Sequence, residues 1–238
     1  MTAHEVREPL TRDRVLAAAM AVADSEGLAA VTMRRVAAEL DVEAMSLYHH
    51  IPSKDSLLDG LVEALVTEIA RSAPARTPGE EWRSALGSRC LSARQVVMRH
   101  RWAPELIGSR TQVPAGLVTE YEAVLAIMID GGLGYHLAHR GLHALGSMIL
   151  GFTQELFAMP DGDADAATEA ELSAMPEQYP HLTAMVAAEL HDNDDDPLGW
   201  CDSQAEFEFT LGLILDGLAR HHEMTGDLAN HHPGHTVR

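Results

Sequence analysis

Hydrophobic residues recur at helical spacing along almost the whole chain of 238 residues. After Thr11, for example, Val15, Ala19 and Val22 return every three or four positions and form one apolar face. Gly27 is typical of a left-handed helix terminator, and Thr32 is a suitable N-cap for the next helix. The pattern predicts helices at about residues 12–26, 33–40, 43–50, 54–73, 80–100, 103–108, 114–130, 134–158, 176–190 and 203–224.

The composition supports a helical fold, because aromatic residues make up 5% of the chain while alanine, leucine, methionine and arginine recur throughout. A proline-rich break at residues 72–80 interrupts the helical pattern and marks a boundary. We therefore expect an all-α protein with two subdomains. The smaller one covers residues 1–60, with a linking helix at 53–72, and the larger one covers residues 73–238.

The net charge of −19 restricts how this protein could bind an anionic partner. Neither part of the chain is basic, so any contact with nucleic acid must come from a local cluster rather than from bulk attraction. Cys90 and Cys201 fit no metal or redox spacing and are expected to be reduced thiols. With no secretion signal and no long apolar run, we expect a cytoplasmic protein that does not contact a membrane.

The second and third predicted helices have the dimensions of a helix-turn-helix. A two-turn helix, a tight turn at Asp41 and a second short helix would place that second helix in a DNA major groove. Val36, Leu40 and Leu47 would form the shared core, and Ala37 is small where the two helices must approach closely. Any small helical hairpin could show these apolar positions, so by themselves they leave the function open.

The segment VTMRRVAAELDVEAMSLYHHIPSKDSLLDGL, residues 31–61, resembles the DNA-binding segment of the TetR family of bacterial repressors. The matching features are Thr32 at the start of the second helix, the VAAEL-D-V turn and the run SLYHHIPSKDSLLDGL. The segment FEFTLGLILDGLARH, residues 207–221, is similar to the last, dimer-forming helix of members near the tetracycline repressor. The resemblance implies an N-terminal three-helix DNA-binding domain followed by a larger ligand-binding and dimerisation domain.

The resemblance also implies which residues contact DNA. Lys54, the only lysine in the chain, falls at a helix N-terminus, where free backbone N–H groups already favour a phosphate. Arg34 matches a position that reads bases in the tetracycline repressor. Two departures are Asp41 at the usual glycine of the turn and a recognition helix without arginine, asparagine or glutamine. The implied DNA-binding residues are Thr32, Arg34, Arg35, Ala44, Met45, Ser46, Tyr48, His49, His50 and Lys54.

A repressor of this family reads a palindromic operator as a homodimer, so the larger domain is expected to supply a two-fold interface. Apolar stripes in the helices near residues 134–158 and 203–224 could pair with their symmetry mates as a four-helix bundle, or could instead form the core of one chain. The predicted interface residues are Leu145, Ile149, Phe152, Leu156, Phe207, Leu211, Ile214, Leu215 and Leu218.

The resemblance further implies a cavity for a small hydrophobic effector in the larger domain. Methionine and aromatic side chains suit irregular apolar cavities, although core packing is their commoner role. His136, His139 and His143 would align on one helix face, either at a polar end of the pocket, as a metal site or as plain surface. We predict no metal or other cofactor. The predicted ligand-binding residues are Met98, Trp102, Tyr121, Met128, His139, His143 and Met148.

These inferences predict a DNA-binding transcriptional regulator, a repressor that a small effector releases from its operator. The chain carries none of the common nucleotide-binding or hydrolase motifs, so we expect no enzyme. A metal-responsive regulator and a helical small-molecule-binding protein without DNA binding remain the alternatives.

Overall fold

The computed structural model describes residues 9–111, 113–152, 177–189 and 203–230. Helices dominate these residues, and no β-strand occurs among them. No helix in these ranges is long and apolar enough to cross a membrane. The helices are α1 (Arg12–Glu26), α2 (Met33–Glu39), α3 (Ala44–Tyr48), α4 (Lys54–Ser72), α5 (Trp82–Arg99), α6 (Ala103–Ser109), α7 (Ala115–Asp130), α8 (Tyr135–Gly151), α9 (Pro180–Glu189) and α10 (Ser203–Asn230).

The predicted helix pattern is confirmed, with changes at the ends. A short 3₁₀ helix at Leu28–Ala30, which the sequence pattern did not predict, joins α1 to α2. α3 is shorter than predicted and α10 extends further, to Asn230. Gly27 has the positive φ expected of a helix terminator, 83°, but its ψ of 165° is extended rather than left-handed helical. The predicted end of α8, residues 153–158, lies outside the described residues.

Side-chain caps fix where the N-terminal helices begin. The hydroxyl of Thr11 accepts a hydrogen bond from the backbone N–H of Arg14, at 3.2 Å. Thr32 caps α2 in the same way, at 3.1 Å from the N–H of Arg35. Ser53 accepts from the N–H of Ser56, at 3.0 Å. Each cap satisfies a backbone donor that the helix itself leaves unpaired, so these three caps set the registers of α1, α2 and α4.

The chain divides into two compact units, Met1–Thr153 with Leu213–Arg238, and Gln154–Gly212. In the first unit α1 packs against α2 and α4, and α2 packs against α3. α4 also packs against α5, α6 and α7, while α8 packs against α5, α6 and α7. The described residues of the second unit form α9 and the N-terminal part of α10, where Phe207 and Leu211 are buried.

One continuous apolar cluster spans the N-terminal helices and the helices that follow. Val22 of α1, Leu47 of α3 and Leu61 of α4 have no exposed surface. The same cluster includes Trp102 and Leu106, which lie at α6. Burial of such side chains contributes roughly 1.5–3 kcal/mol each, so the first three helices depend on α4 and α6 for part of their core.

Candidate nucleic-acid interface and effector cavity

The turn between α2 and α3 has the geometry that a helix-turn-helix requires. Asp41 adopts a positive φ of 51°, and it is the one described non-glycine residue that does so. This is the position at which the sequence departs from the expected glycine, and aspartate tolerates this conformation better than most residues. The backbone N–H of Val42 bonds to the carbonyl of Ala37, at 3.0 Å, and closes the turn. Val36 and Leu47, both fully buried, hold the two helices together.

α3 presents one buried and one exposed side. Leu47 faces the core, whereas Met45 is 70% exposed and Tyr48 is 43% exposed. His49 is also exposed, and Ala44, Ser46 and His50 are half-buried beside them. A short helix with a mixed polar and apolar exposed face can contact base edges and thymine methyl groups in a major groove.

Lys54 is the first residue of α4 and is exposed. No carboxylate within the described ranges forms an ion pair with its ammonium group, so this charge is available at the surface. The N-terminus of a helix also attracts anions through its unpaired N–H groups and its dipole. The first turn of α4 therefore joins a fixed partial charge to a full positive charge, a few residues after the end of α3.

The two arginines of α2 have different environments. Arg34 is exposed on the surface of the helix. Arg35, by contrast, binds Glu26 of α1 at 2.6 Å and Glu39 at 2.8 Å. The hydrogen bond from Arg35 lowers the pKa of Glu26, and the two carboxylates raise the pKa of Arg35. The ion pair with Glu26 therefore braces α2 against α1. The two carboxylates also compete with any phosphate for the guanidinium of Arg35. Thr32 is exposed, and its hydroxyl serves as the cap of α2.

A largely apolar cavity of about 150 Å³ lies among α4, α5, α6, α7 and α8. α4 contributes Val66 and Ile69 to its wall, and α6 contributes Ile107. The thiol of Cys90 belongs to the same wall, and its burial raises the pKa of Cys90 to about 12. The remaining apolar residues of the wall are Ala93, Val97, Leu117, Tyr121, Val124, Leu142, Leu145, Gly146, Ile149 and Leu150.

The charged groups at this cavity form a pair. Arg89 donates to Glu120 through Nη2, at 2.6 Å and 2.8 Å from the two carboxylate oxygens. The side chains of Arg89 and Glu120 are 17% and 11% exposed. Because each charge is already matched by the other, the described wall offers an uncharged, apolar guest a favourable environment.

Most of the predicted ligand-binding residues do not line this cavity. Tyr121 lines the cavity as predicted, whereas Trp102 instead donates its indole N–H to Asp24 of α1, at 2.6 Å. Met128 and Met148 are buried in helix packing, Met98 is half-buried, and none of the three lines the cavity. The predicted set was biased towards sulfur and aromatic rings, whereas the observed wall is mostly aliphatic. Helical spacing alone does not distinguish an aliphatic cavity wall from an aliphatic core.

The histidines of α8 lie outside the cavity. His136, His139 and His143 are exposed, and the rings of the last two meet edge to face with 3.2 Å between their Nε2 atoms. No group of three or more potential metal-binding side chains occurs in the described ranges. The polar pocket end that these histidines were expected to supply is therefore absent from the cavity wall given by the described residues.

The predicted dimer-interface residues lie in several different environments in the single chain. Most of them are buried within the single chain, because the apolar stripes of α8 and α10 pack inward. Leu218 lies against Gly141 of α8, for example, and Leu215 lies near Gly87 of α5. Ile149 lines the cavity, Phe152 and Ile214 are half-buried, and Leu156 lies outside the described residues. The buried members of the set are Leu145, Phe207, Leu211, Leu215 and Leu218.

Other apolar side chains on these helices are exposed instead. Leu213 and Met224 of α10 are 52% and 62% exposed, and they lie eleven residues apart, about three helical turns. Phe209 on the same helix is 64% exposed, and Tyr135 at the start of α8 is 77% exposed. The sequence pattern does not show which apolar residues of α10 one chain buries and which it leaves exposed.

Comparison with known proteins assigns the fold and the helix-turn-helix to one family. Residues 15–61 match the family of bacterial regulatory proteins of tetR type, and residues 73–221 match the tetracycline repressor-like C-terminal domain. The chain therefore belongs to the TetR family of bacterial regulatory proteins, and the predicted all-α fold class is confirmed.

Three relatives illustrate the range of similarity. The HTH-type transcriptional repressor DrrR1 of Streptomyces coeruleorubidus is 36% identical over 124 residues, which cover 52% of this chain and 45% of that protein. Over this match the chain spans about half of the relative's length. The class E tetracycline repressor protein of Escherichia coli is 30% identical over 76% of this chain and 84% of its own. The crystal structure of the TetR family protein ActR of Streptomyces coelicolor in complex with actinorhodin is 28% identical, with a TM-score of 0.67 over 90% of this chain and 99% of that chain.

Proposed function

We propose that this protein is a dimeric transcriptional repressor that binds a palindromic operator and leaves it when a small apolar effector occupies the cavity. Family membership supports DNA binding, and the names of the relatives include repressors and a regulator in complex with a small molecule. The assignment of this activity to the present chain rests on its own site geometry.

The observation that carries the proposal is the position of α4. Lys54 is the first residue of this helix and follows the last residue of α3 by six positions, and Val66 and Ile69 lie in the cavity wall. Lys54 and Val66 are twelve residues apart, which is about 18 Å along a helix. One rigid element therefore connects the proposed phosphate contact to the proposed effector, so a shift of α4 caused by the effector would move Lys54.

On the DNA side, we propose that α3 enters the major groove and that its exposed residues read the bases. Met45 would contact thymine methyl groups, while Ser46 and His49 would hydrogen-bond to base edges. Tyr48, His50, Thr32 and Lys54 would contact or position the phosphate backbone, and Ala44 would allow close approach of the helix. Arg34 would add a further contact from α2. We leave Arg35 out of the proposed contacts because two carboxylates hold it.

On the effector side, the cavity favours a compact, uncharged compound. The wall is apolar, and the pair of Arg89 and Glu120 is internally matched. Binding that favours a different spacing of the two recognition helices by about 1–3 kcal/mol would release the operator. The chemistry of the wall does not select tetracycline itself.

The test is a binding titration with a duplex that the wild-type protein enriches from a random-sequence DNA pool. The proposal expects a two-fold symmetric sequence to be enriched, since a dimer presents two equivalent recognition helices. The double variant Tyr48→Ala with Lys54→Ala should lose at least about tenfold in affinity, which corresponds to roughly 1.4 kcal/mol. Enrichment of no sequence, or unchanged affinity of the double variant, would contradict the proposal.

A further inference from the structure

His100 is a buried histidine that the proposed DNA contacts and the cavity wall do not use. It follows the last residue of α5 and is 7% exposed. Its Nδ1 atom lies 2.7 Å from a carboxylate oxygen of Asp24, which belongs to α1. Its Nε2 atom lies 3.1 Å from a carboxylate oxygen of Glu68, which belongs to α4. One imidazole ring therefore connects the first helix of the helix-turn-helix domain to the linking helix.

Two further donors strengthen this connection. The indole N–H of Trp102 donates to the same oxygen of Asp24, at 2.6 Å. Arg99 donates to the other oxygen of Glu68, at 2.5 Å. Burial alone would raise the pKa of Glu68, but the hydrogen bonds from Arg99 and His100 outweigh it and lower that pKa. We call Asp24, His100, Glu68, Trp102 and Arg99 together the histidine bridge.

The histidine bridge shares its backbone with the cavity wall. Val97 lines the cavity and lies on the last turn of α5, three residues before His100. Ile69 lines the cavity and is the next residue after Glu68 on α4. Trp102 immediately precedes α6, which supplies Ile107 to the wall. A guest that spreads these three helices must therefore change the positions of the bridge residues as well.

The other end of the bridge is fixed to the DNA-binding helices. Asp24 lies in the last turns of α1, and Val22 and Ala23 beside it are buried in the core that α1 shares with α2 and α4. A movement of Asp24 relative to α5 therefore moves α1 and, through their shared core, the helix-turn-helix. Because hydrogen bonds are short-ranged and directional, the bridge holds well in one relative placement of these helices.

We propose that the histidine bridge couples occupancy of the cavity to the placement of the DNA-binding helices. His100 is a positioning residue in this scheme, since it touches neither the effector nor the DNA. The proposal rests on the proposed function. It predicts that loss of the bridge removes the coupling between effector and DNA but leaves the binding of each one intact. Both ligands would still bind, but each would lose its influence on the affinity for the other.

Reciprocity provides the measurement. If an apolar guest weakens operator binding, the operator must weaken binding of the guest by the same factor. The probe is 1-aminoanthracene, an uncharged apolar fluorophore, titrated into the protein with and without the duplex enriched by the wild type. In the wild type, the dissociation constant of the probe should be roughly tenfold higher with operator present, within the usual range of such couplings. In His100→Leu the ratio of the probe's dissociation constants with and without operator should fall below about twofold. The affinity for the probe alone and the affinity for the operator alone should each stay within about threefold of wild type.

Two variants and one control make the result specific. His100→Gln retains a side-chain donor for one of the two carboxylates, and Trp102→Phe removes only the indole donor to Asp24, so both should give intermediate ratios. They also preserve the test if His100→Leu does not fold. Leu86→Ala is the control, because it weakens the core at the other end of α5 without removing a bridge residue or a residue of the cavity wall, and it should keep the wild-type ratio.

The outcomes are distinguishable. A wild-type ratio above about fivefold that persists in His100→Leu would overturn the bridge and leave the proposed function standing. Loss of the ratio in Leu86→Ala as well would show that general destabilisation is responsible, and it would also overturn the bridge. A wild-type ratio of one would contradict the proposed release by an apolar effector, and with it any coupling through His100.

Discussion

Gly131 lies so close to Trp82 that a Cβ atom on the glycine would be 2.6 Å from the Cβ and Cγ atoms of the tryptophan. The backbone fixes the position of the Trp82 Cβ atom, so no rotation of the tryptophan side chain can remove that contact. We expect Gly131→Ala to lower the free energy of unfolding by about 1–3 kcal/mol, as for other overpacked sites. Urea denaturation followed by circular dichroism would measure this change.

Gly87 of α5 is the matched control for this substitution. An added Cβ there would meet Leu215 at 3.8 Å, an ordinary contact. Gly87→Ala should therefore raise the free energy of unfolding by up to about 1 kcal/mol, because alanine is the better helix former. Equal effects of the two substitutions would contradict the packing described for Gly131.

The positive φ of Asp41 predicts a difference between two small substitutions. Asp41→Gly relieves the left-handed strain, whereas Asp41→Ala retains it without the local hydrogen-bonding capacity of the carboxylate. We expect the glycine variant to exceed the alanine variant by about 1 kcal/mol in free energy of unfolding. The same denaturation measurement applies, and an alanine variant at least as stable as the glycine variant would contradict the turn geometry.

Lys54 should contribute to the salt dependence of operator binding. Each phosphate contact that is lost reduces the slope of log K against log salt by about 0.9. Lys54→Ala should reduce the slope by that amount and weaken binding of all sequences alike, which fluorescence anisotropy at several salt concentrations would show.

Arg71, in the last turn of α4, is the matched control for Lys54. It lies seventeen residues further on, about 25 Å along the helix, and is also exposed. Arg71→Ala removes the same charge from the protein and should leave the slope unchanged. A similar loss in both variants would indicate an effect of net charge rather than a contact at α4.

Leu213 should belong to the surface that pairs in the dimer. It is 52% exposed, and burying it against a second chain would remove apolar surface from water. Leu213→Asp should shift the protein from dimer to monomer in sedimentation velocity. Val118 of α7 is 55% exposed and serves as the control, since Val118→Asp introduces the same charge on another helix. Dissociation by both variants, or by neither, would contradict the assignment of this surface.

Cys90 should react slowly with thiol reagents. Burial raises its pKa to about 12, so the reactive thiolate is scarce at neutral pH. The unfolded thiol has a lower pKa, so this group favours the folded state below about pH 9 and loses that contribution as pH rises towards 12. In a Cys201→Ser background, iodoacetamide labelling at pH 8 should be much slower in native protein than in urea, and equal rates would contradict the burial of Cys90.

Local signals in the sequence predicted the elements that depend on local chemistry. Thr11, Thr32 and Ser53 are short polar residues followed by helical periodicity, and each caps a helix in the structure. The turn at Asp41 was located because its flanking apolar positions define two short helices. Such features depend on neighbours a few residues away, so one sequence contains the information.

The features that the sequence did not predict depend on which faces meet in three dimensions. Leu215 and Leu213 lie two residues apart on α10, yet one is buried within the chain and the other is exposed. Arg35 forms an ion pair with Glu26 of a different helix. No local pattern in the sequence indicates this pair, so the position of Arg35 in the motif was the only guide and suggested a DNA contact. The histidine bridge joins residues up to seventy-eight positions apart, and no local pattern connects them.

The apolar cluster shared by the N-terminal helices and α6 has a practical consequence for building hybrid regulators. A fragment cut after α4 would lack Trp102, Ala103 and Leu106, which belong to the same buried cluster as Leu61 and Leu65 of α4. A hybrid that joins these N-terminal helices to a different effector-binding domain therefore needs matching apolar residues at α6, because the N-terminal helices and α6 share one core.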